Sequence, residues 1–504
     1  MSRRPGSRLL ILLLVALLAG CSGRPVRQPE PVAAAPPQGV SELERWANRQ
    51  AGKHPGRSGI LLLGSGTNAL DARLSLIDHA RRTLDVQYYL IRDDESGKRF
   101  LWHLQSAAKR GVRVRLLLDD IHLPLRERLL ARLDAHPNVS VRVFNPFDRN
   151  MLRLPQLILR FSTLNRRMHN KVLIADGAFA ISGSRNIGDE YFEVKPTLTF
   201  GDLDVLAAGP LVSEMSRLFD RFWHYPASRA YAELNPRTDP AGAELARVAA
   251  PDHRDIAGEL LAGQTRLEWK RASLVADNPE KIESRSRQGD FLDATGLRPH
   301  SEKLADQLLI ITPYFVPGEE GVRYFRALRE RGIAVTIFTN SFASTDVQLV
   351  HSAYRKYRAR LLAMGVEIYE LKQLKQHLRI MEKLRRLREH RAGSRASLHA
   401  KVIVYDRERL YIGSMNADPR SIHHNTEMGV LVESPGQAEA IVDWFLENRA
   451  DIAYRLELGG EEGKGRITWN DTALQRAMPA EPNMNSFQML WIGFLSLLPG
   501  ESQL

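Results

Sequence analysis

The chain has 504 residues, a formal charge of +12 and a pI of about 9.8. That length exceeds one compact core and suits two or three domains, and the basic excess calls for an anionic partner, a phospholipid surface or a nucleic acid, without choosing between them. With a single cysteine, Cys21, an intrachain disulfide and a cysteine-rich zinc site are both excluded.

In chain order, the first predicted element is a secretory segment. Arg3, Arg4 and Arg8 give a basic start, Leu9 to Leu18 an apolar run, and Ala19-Gly20-Cys21 a small-residue end. The run is too short to span a bilayer as a helix. Leu18-Ala19-Gly20-Cys21 resembles the lipobox of bacterial lipoproteins, which implies cleavage before Cys21 and diacylation of its sulfur. The expectation is a signal peptide over residues 1–20 and a lipid-anchored protein facing the periplasm. By resemblance to bacterial lipoprotein sorting rules, Ser22 after the cysteine implies the outer membrane. Residues 21–56 read as a Pro/Ala-rich tether, partly polyproline II through Pro25, Pro29, Pro31, Pro36 and Pro37. The folded body is expected to begin near Gly59.

An internal repeat follows. In the first half, Leu84 to Tyr89 reads as a strand, Lys98 to Arg110 as a helix, and Gly111 to Leu118 as the next strand. In the second half, Leu308 to Pro313, Gly321 to Arg331 and Gly332 to Ile337 repeat that order. Each glycine ends a helix, where a left-handed residue is needed. A further helix and strand close each unit, the strands ending at Val139–Val143 and Val366–Tyr369. Alternating strands and helices predict an α/β layered fold. The boundaries are residues 57–228 for the first domain, 229–300 for a connecting segment, 301–455 for the second domain and 456–504 for a C-terminal tail.

Both halves reach the same constellation. The first has His169, Lys171, Asp176, Gly183, Ser184 and Asn186; the second has His399, Lys401, Asp406, Gly413, Ser414 and Asn416. Six residue types recur at identical offsets. The residues after each His are apolar and β-branched, a buried strand, on which positions i and i+2 share a face. His169 therefore points the same way as Lys171, and His399 the same way as Lys401. Asp176 and Asp406 are counted with the catalytic set, although their odd offsets before turns assign them mainly to structure. The returning strands bring Ser184, Asn186, Ser414 and Asn416 back beside the His-Lys pairs.

These residue types suit attack on a phosphodiester. Lysines and asparagines can hold and neutralise its oxygens without a metal. One His can attack phosphorus; the other can protonate the leaving alcohol and deprotonate the acceptor. Zinc is disfavoured because the repeated partner is a charged lysine. No cofactor is called for. Each His also needs an orienting acid. Glu427 follows the second motif, and Asp202 holds the matching place in the first, where Asp204 competes with it.

His-x-Lys-x4-Asp with Gly-Ser-x-Asn resembles the signature of the phospholipase D superfamily over roughly residues 57–455. The segments Asn165 to Lys171, Arg185 to Gly188 with Tyr191-Phe192, Asp202 to Val205, Ser397 to Lys401, and Asn416 to Ser421 are similar to bacterial cardiolipin synthases of the C type. The resemblance implies two pseudo-symmetric α/β/α domains, each with a mixed β-sheet flanked by helices, sharing one active site. It implies His169 as nucleophile, His399 as acid/base, and phosphatidyl transfer onto phosphatidylglycerol with phosphatidylethanolamine as donor. A small macrodomain protein is the implied partner, which a periplasmic site would argue against. Hydrolysis of phospholipid by the same residues is the alternative. A nucleic acid substrate is disfavoured, since only Tyr354 to Tyr357 hints at a stacking platform.

Two more segments bear on membranes. Lys372 to Arg395 reads as a basic amphipathic helix suited to anionic headgroups. Phe487 to Leu498, with Trp491 and Phe494, is too short to span a bilayer and reads as a packed core helix in preference to an interfacial anchor.

Overall fold

The computed structural model describes residues 39–121, 127–149, 151–152, 155–156, 161–194, 198–235, 245, 252–283, 297–373, 395–459 and 465–496. Cys21, the first half of the tether (residues 21–38) and most of the basic Lys372–Arg395 stretch lie outside the described residues.

Each half builds the same sheet. In the first, Thr83–Tyr88, Arg113–Asp119 and Val139–Phe144 pair in parallel. On the other side of Thr83–Tyr88, Val172–Ala175, Phe179–Gly183, Asp204–Ala208 and Ser58–Leu63 continue antiparallel. In the second half the parallel set is Gln307–Ile311, Ala334–Asn340 and Glu367–Leu371. Val402–Tyr405, Arg409–Gly413, Met428–Glu433 and Glu268–Ala276 follow antiparallel. Ser58–Leu63 also pairs with Glu268–Ala276, so the halves form one continuous mixed sheet. The predicted helix-ending glycines are in place: Gly111 at φ +94° after Glu95–Lys109, and Gly332 at φ +83° after Gly318–Glu330.

Period-two alternation sorts the side chains. Leu173 and Ala175 face the first half's outer core, whereas Val172 and Ile174 face a core shared by both halves. Val402 and Val404 meet that shared core from the second half, while Ile403 and Tyr405 turn to the second half's outer core. Helices Pro210–His224 and Pro435–Ile452 pack into the shared layer through Leu211, Met215, Phe222, Val442 and Phe445.

Three predicted boundaries move. Within the 21–56 tether, Glu42–Lys53 is a helix with a Ser41/Glu44 capping box. Leu43, Trp46 and Ala47, at i, i+3 and i+4, bury one face on the first core, with Trp46 5.3 Å from Phe179. The body thus reaches back to Ser41. The 229–300 segment does more than connect: Glu268–Ala276 is the seam strand. The 456–504 tail continues the second sheet through Ala453–Leu458, Ile467–Asp471 and Arg476–Met478. Its last helix, Ser486–Ser496, buries Ile492 but leaves Phe487, Met489, Leu490 and Trp491 exposed, against the core-helix reading. Among the described residues no helix is long and apolar enough to cross a membrane.

Candidate active site

The two motifs hang from equivalent scaffolds. At the end of Arg113–Asp119, Asp119 accepts a hydrogen bond from the Met168 amide at 2.9 Å. At the end of Ala334–Asn340, Asn340 accepts one from the Leu398 amide at 2.9 Å. Each following histidine then donates its backbone N–H across to the other half: His169 to the Thr426 carbonyl and His399 to the Gly201 carbonyl, both at 2.9 Å. The residue after each accepting carbonyl is an acid.

That backbone register decides the pairing of side chains. His169 Nδ1 lies 2.8 Å from Glu427, and His399 Nδ1 lies 2.8 Å from Asp202. Each acid sits beside its own motif in sequence but orients the histidine of the other half. A carboxylate at Nδ1 fixes the tautomer and leaves Nε2 for chemistry. Asp204, the competing candidate, is committed elsewhere, to Arg73 at 2.8 Å and Arg185 at 3.3 Å. Tyr89 meets the His169 ring edge-on at 5.0 Å, and Tyr191 the His399 ring at 5.1 Å.

The lysines share the site as the i, i+2 rule predicts. Lys171 Nζ donates to the His169 carbonyl at 2.6 Å, and Lys401 Nζ to the His399 carbonyl at 2.5 Å, with His399 Nε2 3.3 Å away. Both lysines and both histidines are buried. Asn186 donates to the Tyr191 hydroxyl at 3.0 Å. The Oδ1 atoms of Asn186 and Asn416 are buried without a hydrogen-bond partner, which leaves these amides capacity for a ligand.

Two groups of predicted site residues have other duties. Ser184 and Ser414 do not face a phosphate with a free hydroxyl. Ser184 donates to Asp202, and Ser414 donates to Glu427 at 2.5 Å. A hydroxyl has one proton to give, and here it steadies the acid. Asp176 and Asp406, counted with the catalytic set in the sequence, have their carboxylates engaged by backbone amides. Asp176 caps the amides of Arg81, Arg82 and Thr83, and Asp406 those of Ala305, Asp306 and Gln307. Both sit at the first turn position with φ near +50°, 53° and 54° respectively, and lock a hairpin to the start of the neighbouring strand. The motif glycine has a steric reason: a Cβ on Gly413 would fall 2.6 Å from the Gly429 Cα, and one on Gly183 2.7 Å from the Asp204 Cα.

The electrostatics differ between the half-sites. Burial pushes His169 well below its ordinary value, and the charges of Lys171, Lys401 and His399 add to that. Burial likewise raises its partner Glu427 to about 7. His399 is lowered by burial and by Lys401, against the pull of Asp202. Burial opposes ionisation of Asp202, but His399 and Arg185 overcome it and hold the carboxyl below its usual range. Burial depresses Lys171 strongly and Lys401 to about 8. The crossed hydrogen bonds, His169 to Glu427 and His399 to Asp202, bring both motifs into a single shared site.

Asp119, Asn340, Tyr89 and the buried Arg73 were not singled out in the sequence as site-builders. Asp119 and Asn340 carried a signal, since each is the polar residue ending an apolar strand at the same place in the repeat. Asp277 was hidden in the connecting segment; it accepts the Glu427 amide at 2.9 Å and pairs with Lys281 at 2.7 Å.

The family model described as "Cardiolipin synthase, PLD-like domain" matches residues 74–223 and 302–449. The chain is 36% identical over 465 residues to cardiolipin synthase C of Escherichia coli (strain K12), covering 89% of this chain and 97% of that one. It is 27% identical to a cardiolipin synthase of Geobacillus kaustophilus (strain HTA426), over 84% of this chain and 73% of the relative. The crystal structure of phosphatidylserine synthase from Haemophilus influenzae Rd KW20 shares the fold with a TM-score of 0.53 and 14% identity, covering 83% of this chain and 92% of that one. With both repeats matched and both His-Lys motifs intact in one site, the chain belongs to the cardiolipin synthase family of phospholipase D superfamily enzymes.

Proposed function

We propose that the protein makes cardiolipin by transferring a phosphatidyl group onto phosphatidylglycerol through a phosphohistidine at His169. The observation that carries this is the crossed pair of histidine-carboxylate units converging, with two lysines, on one buried site. His169, neutral and oriented by Glu427, attacks the donor phosphorus through Nε2. The bond from phosphorus to the headgroup oxygen breaks, and His399 gives that oxygen its proton. His399 then takes the proton of the phosphatidylglycerol hydroxyl as that oxygen attacks phosphorus and the P–N bond breaks. Lys171 and Lys401 neutralise the non-bridging oxygens throughout. The incoming phosphodiester carries negative charge and raises the proton affinity of His399 as it binds.

Burial supports transfer over hydrolysis, because a site that excludes water favours a lipid alcohol as acceptor. The donor is proposed to be phosphatidylethanolamine or a second phosphatidylglycerol. The protein is proposed to act from a lipid anchor at Cys21 on a bacterial membrane facing the periplasm. Lipid analysis of a cardiolipin-free host expressing the chain tests the reaction. Cardiolipin should appear; phosphatidic acid accumulating in its place would make the enzyme a hydrolase. Cys21→Ala should abolish acylation and leave the precursor uncleaved.

A further inference from the structure

The C-terminal helix Ser486–Ser496 contains no charged residue, yet its side chains are not hidden. Phe487 is 76% exposed, Leu490 75%, Trp491 46% and Met489 42%. Phe487, Leu490 and Trp491 stand at i, i+3 and i+4 and so share one face. Ile492, on the opposite side, is fully buried. Exposed apolar groups clustered in this way mark an interaction surface.

The helix is fixed in place. Asn485 and Gln488 cap its start reciprocally, at 2.8 and 2.9 Å. It packs against helix Gln348–Tyr354. Just before it, the buried Glu481 is gripped by His351 at 2.5 Å, by Arg358 at 2.9 and 3.1 Å, and by Arg355 at 3.3 Å. Burial lowers His351 to about 4, so the histidine is neutral and the arginines carry the charge that answers Glu481.

The packing partner leads back to the site. Helix Gln348–Tyr354 begins two residues after Asp346, which accepts the Tyr314 hydroxyl at 2.8 Å. The charge of Asp346 acts on Lys401. An uncharged apolar face is therefore packed on the helix that follows Asp346. The chain as a whole carries a formal charge of +12, which suits a surface of anionic lipid.

We propose that the Ser486–Ser496 helix lies in the surface of a phospholipid bilayer, with Phe487, Leu490 and Trp491 among the acyl chains, and sets the height of the catalytic site over its lipid substrates. The inference rests on the reading of the substrates as bilayer phospholipids. A diacyl substrate keeps its chains in the membrane while its headgroup enters the site, so the mouth must be held at the headgroup level. Apolar aromatic and leucine side chains suit the acyl boundary of such a surface.

The test uses the full chain and vesicles of phosphatidylglycerol and phosphatidylethanolamine carrying lipids spin-labelled along the acyl chain. A fluorophore on Leu490→Cys should be quenched by labels near the headgroup end of the chain. The same fluorophore on Glu330→Cys, on an exposed turn of Gly318–Glu330, should not be. Equal quenching at both positions overturns the proposal. The double variant Phe487→Glu/Leu490→Glu should lose more than about tenfold of turnover on vesicles and stay within about twofold of wild type on short-chain phospholipid dissolved as monomers. Equal loss on both substrates would make the helix a part of the fold or of the site and overturn the proposal. So would a dimer in solution that the double variant dissociates. If wild type turns over neither form of lipid, the substrate reading fails, and the quenching pattern alone decides the helix.

Discussion

The two half-sites carry the same motif, yet their environments part company. In one, His169 faces Glu427, a carboxyl lifted to about 7 by burial. In the other, His399 faces Asp202, a carboxylate held ionised by His399 and Arg185 against burial. The difference begins one strand away. The first half puts Arg185 and Asp204 where the second has Met415 and Gly429, so only Asp202 has a guanidinium at its back. A histidine beside a near-neutral carboxyl is a free base and suits attack. A histidine beside a fixed anion keeps a proton better and suits acid catalysis. Pseudo-symmetry thus supplies two equal histidines, and the buried arginine makes them unequal.

Removing either histidine is the largest break. His169→Ala and His399→Ala should each lower kcat on lipid by about a thousandfold or more, because nucleophile and acid act in series. A mixture of the two variants should not recover activity if both sites lie in one chain. The comparison sharpens with an activated donor whose leaving group needs no proton. His399→Asn should then still form an acid-quench-stable label on His169, while His169→Asn should form none. Label on His399 in the wild type would reverse the roles.

The acids come next. Asp202→Asn removes a true anion, and kcat should fall by about a hundredfold. Glu427→Gln replaces a carboxyl only partly ionised near pH 7 and keeps an acceptor for Nδ1–H; the loss should be nearer about tenfold. Equal losses would mean that the two carboxyls share one ionisation state and that the half-sites are electrostatically alike.

The pH profile of kcat/KM carries the same contrast. The nucleophile must be neutral and the acid protonated. His399 sits below 6.5, so the rate should decline tenfold per pH unit above its pKa, and above about 8 it should steepen as Lys401 loses its charge. Lysine is charged below its pKa, so the second break is a loss with rising pH. Lys401→Arg stays charged and should abolish that second break while leaving the first. With the activated donor, the first break should vanish in wild type.

The catalytic types were legible in the sequence because a strand's alternation is local: His and Lys two apart must share a face. The histidine-acid pairing was not, because it depends on which segment of the other half runs alongside, through His169 to Thr426 and His399 to Gly201. No spacing within either motif encodes that. The α/β repeat and its helix-ending glycines were readable for the same local reason. The seam strand Glu268–Ala276 was missed because its burial alternates only weakly and its partners lie in both halves. Glu42–Lys53 was hidden by the proline-rich stretch before it, although Leu43, Trp46 and Ala47 carried the helical spacing. The serines misled because Ser184 and Ser414 sit beside the site yet spend their protons on its acids.

The smallest expected effect lies in the hairpins after each His-Lys strand, and it too is a comparison of halves. Asp176-Gly177 and Asp406-Arg407 occupy the same turn, with φ of 53° and 63° in the first and 54° and 57° in the second. The left-handed region suits glycine and costs a residue with a Cβ about 1 kcal/mol. A Cβ on Gly177 would meet nothing within 4 Å, so Gly177→Ala should be destabilising by that conformational cost alone. Arg407 bears the same strain but holds Asp443 at 2.8 Å through an exposed ion pair. Such pairs contribute about 0.2–1 kcal/mol. Arg407→Gly should therefore raise stability, by less than Gly177→Ala lowers it, and neither should change kcat. Thermal unfolding of the full chain reads both signs. A lower Tm for Arg407→Gly would mean that the Asp443 contact outweighs the backbone strain.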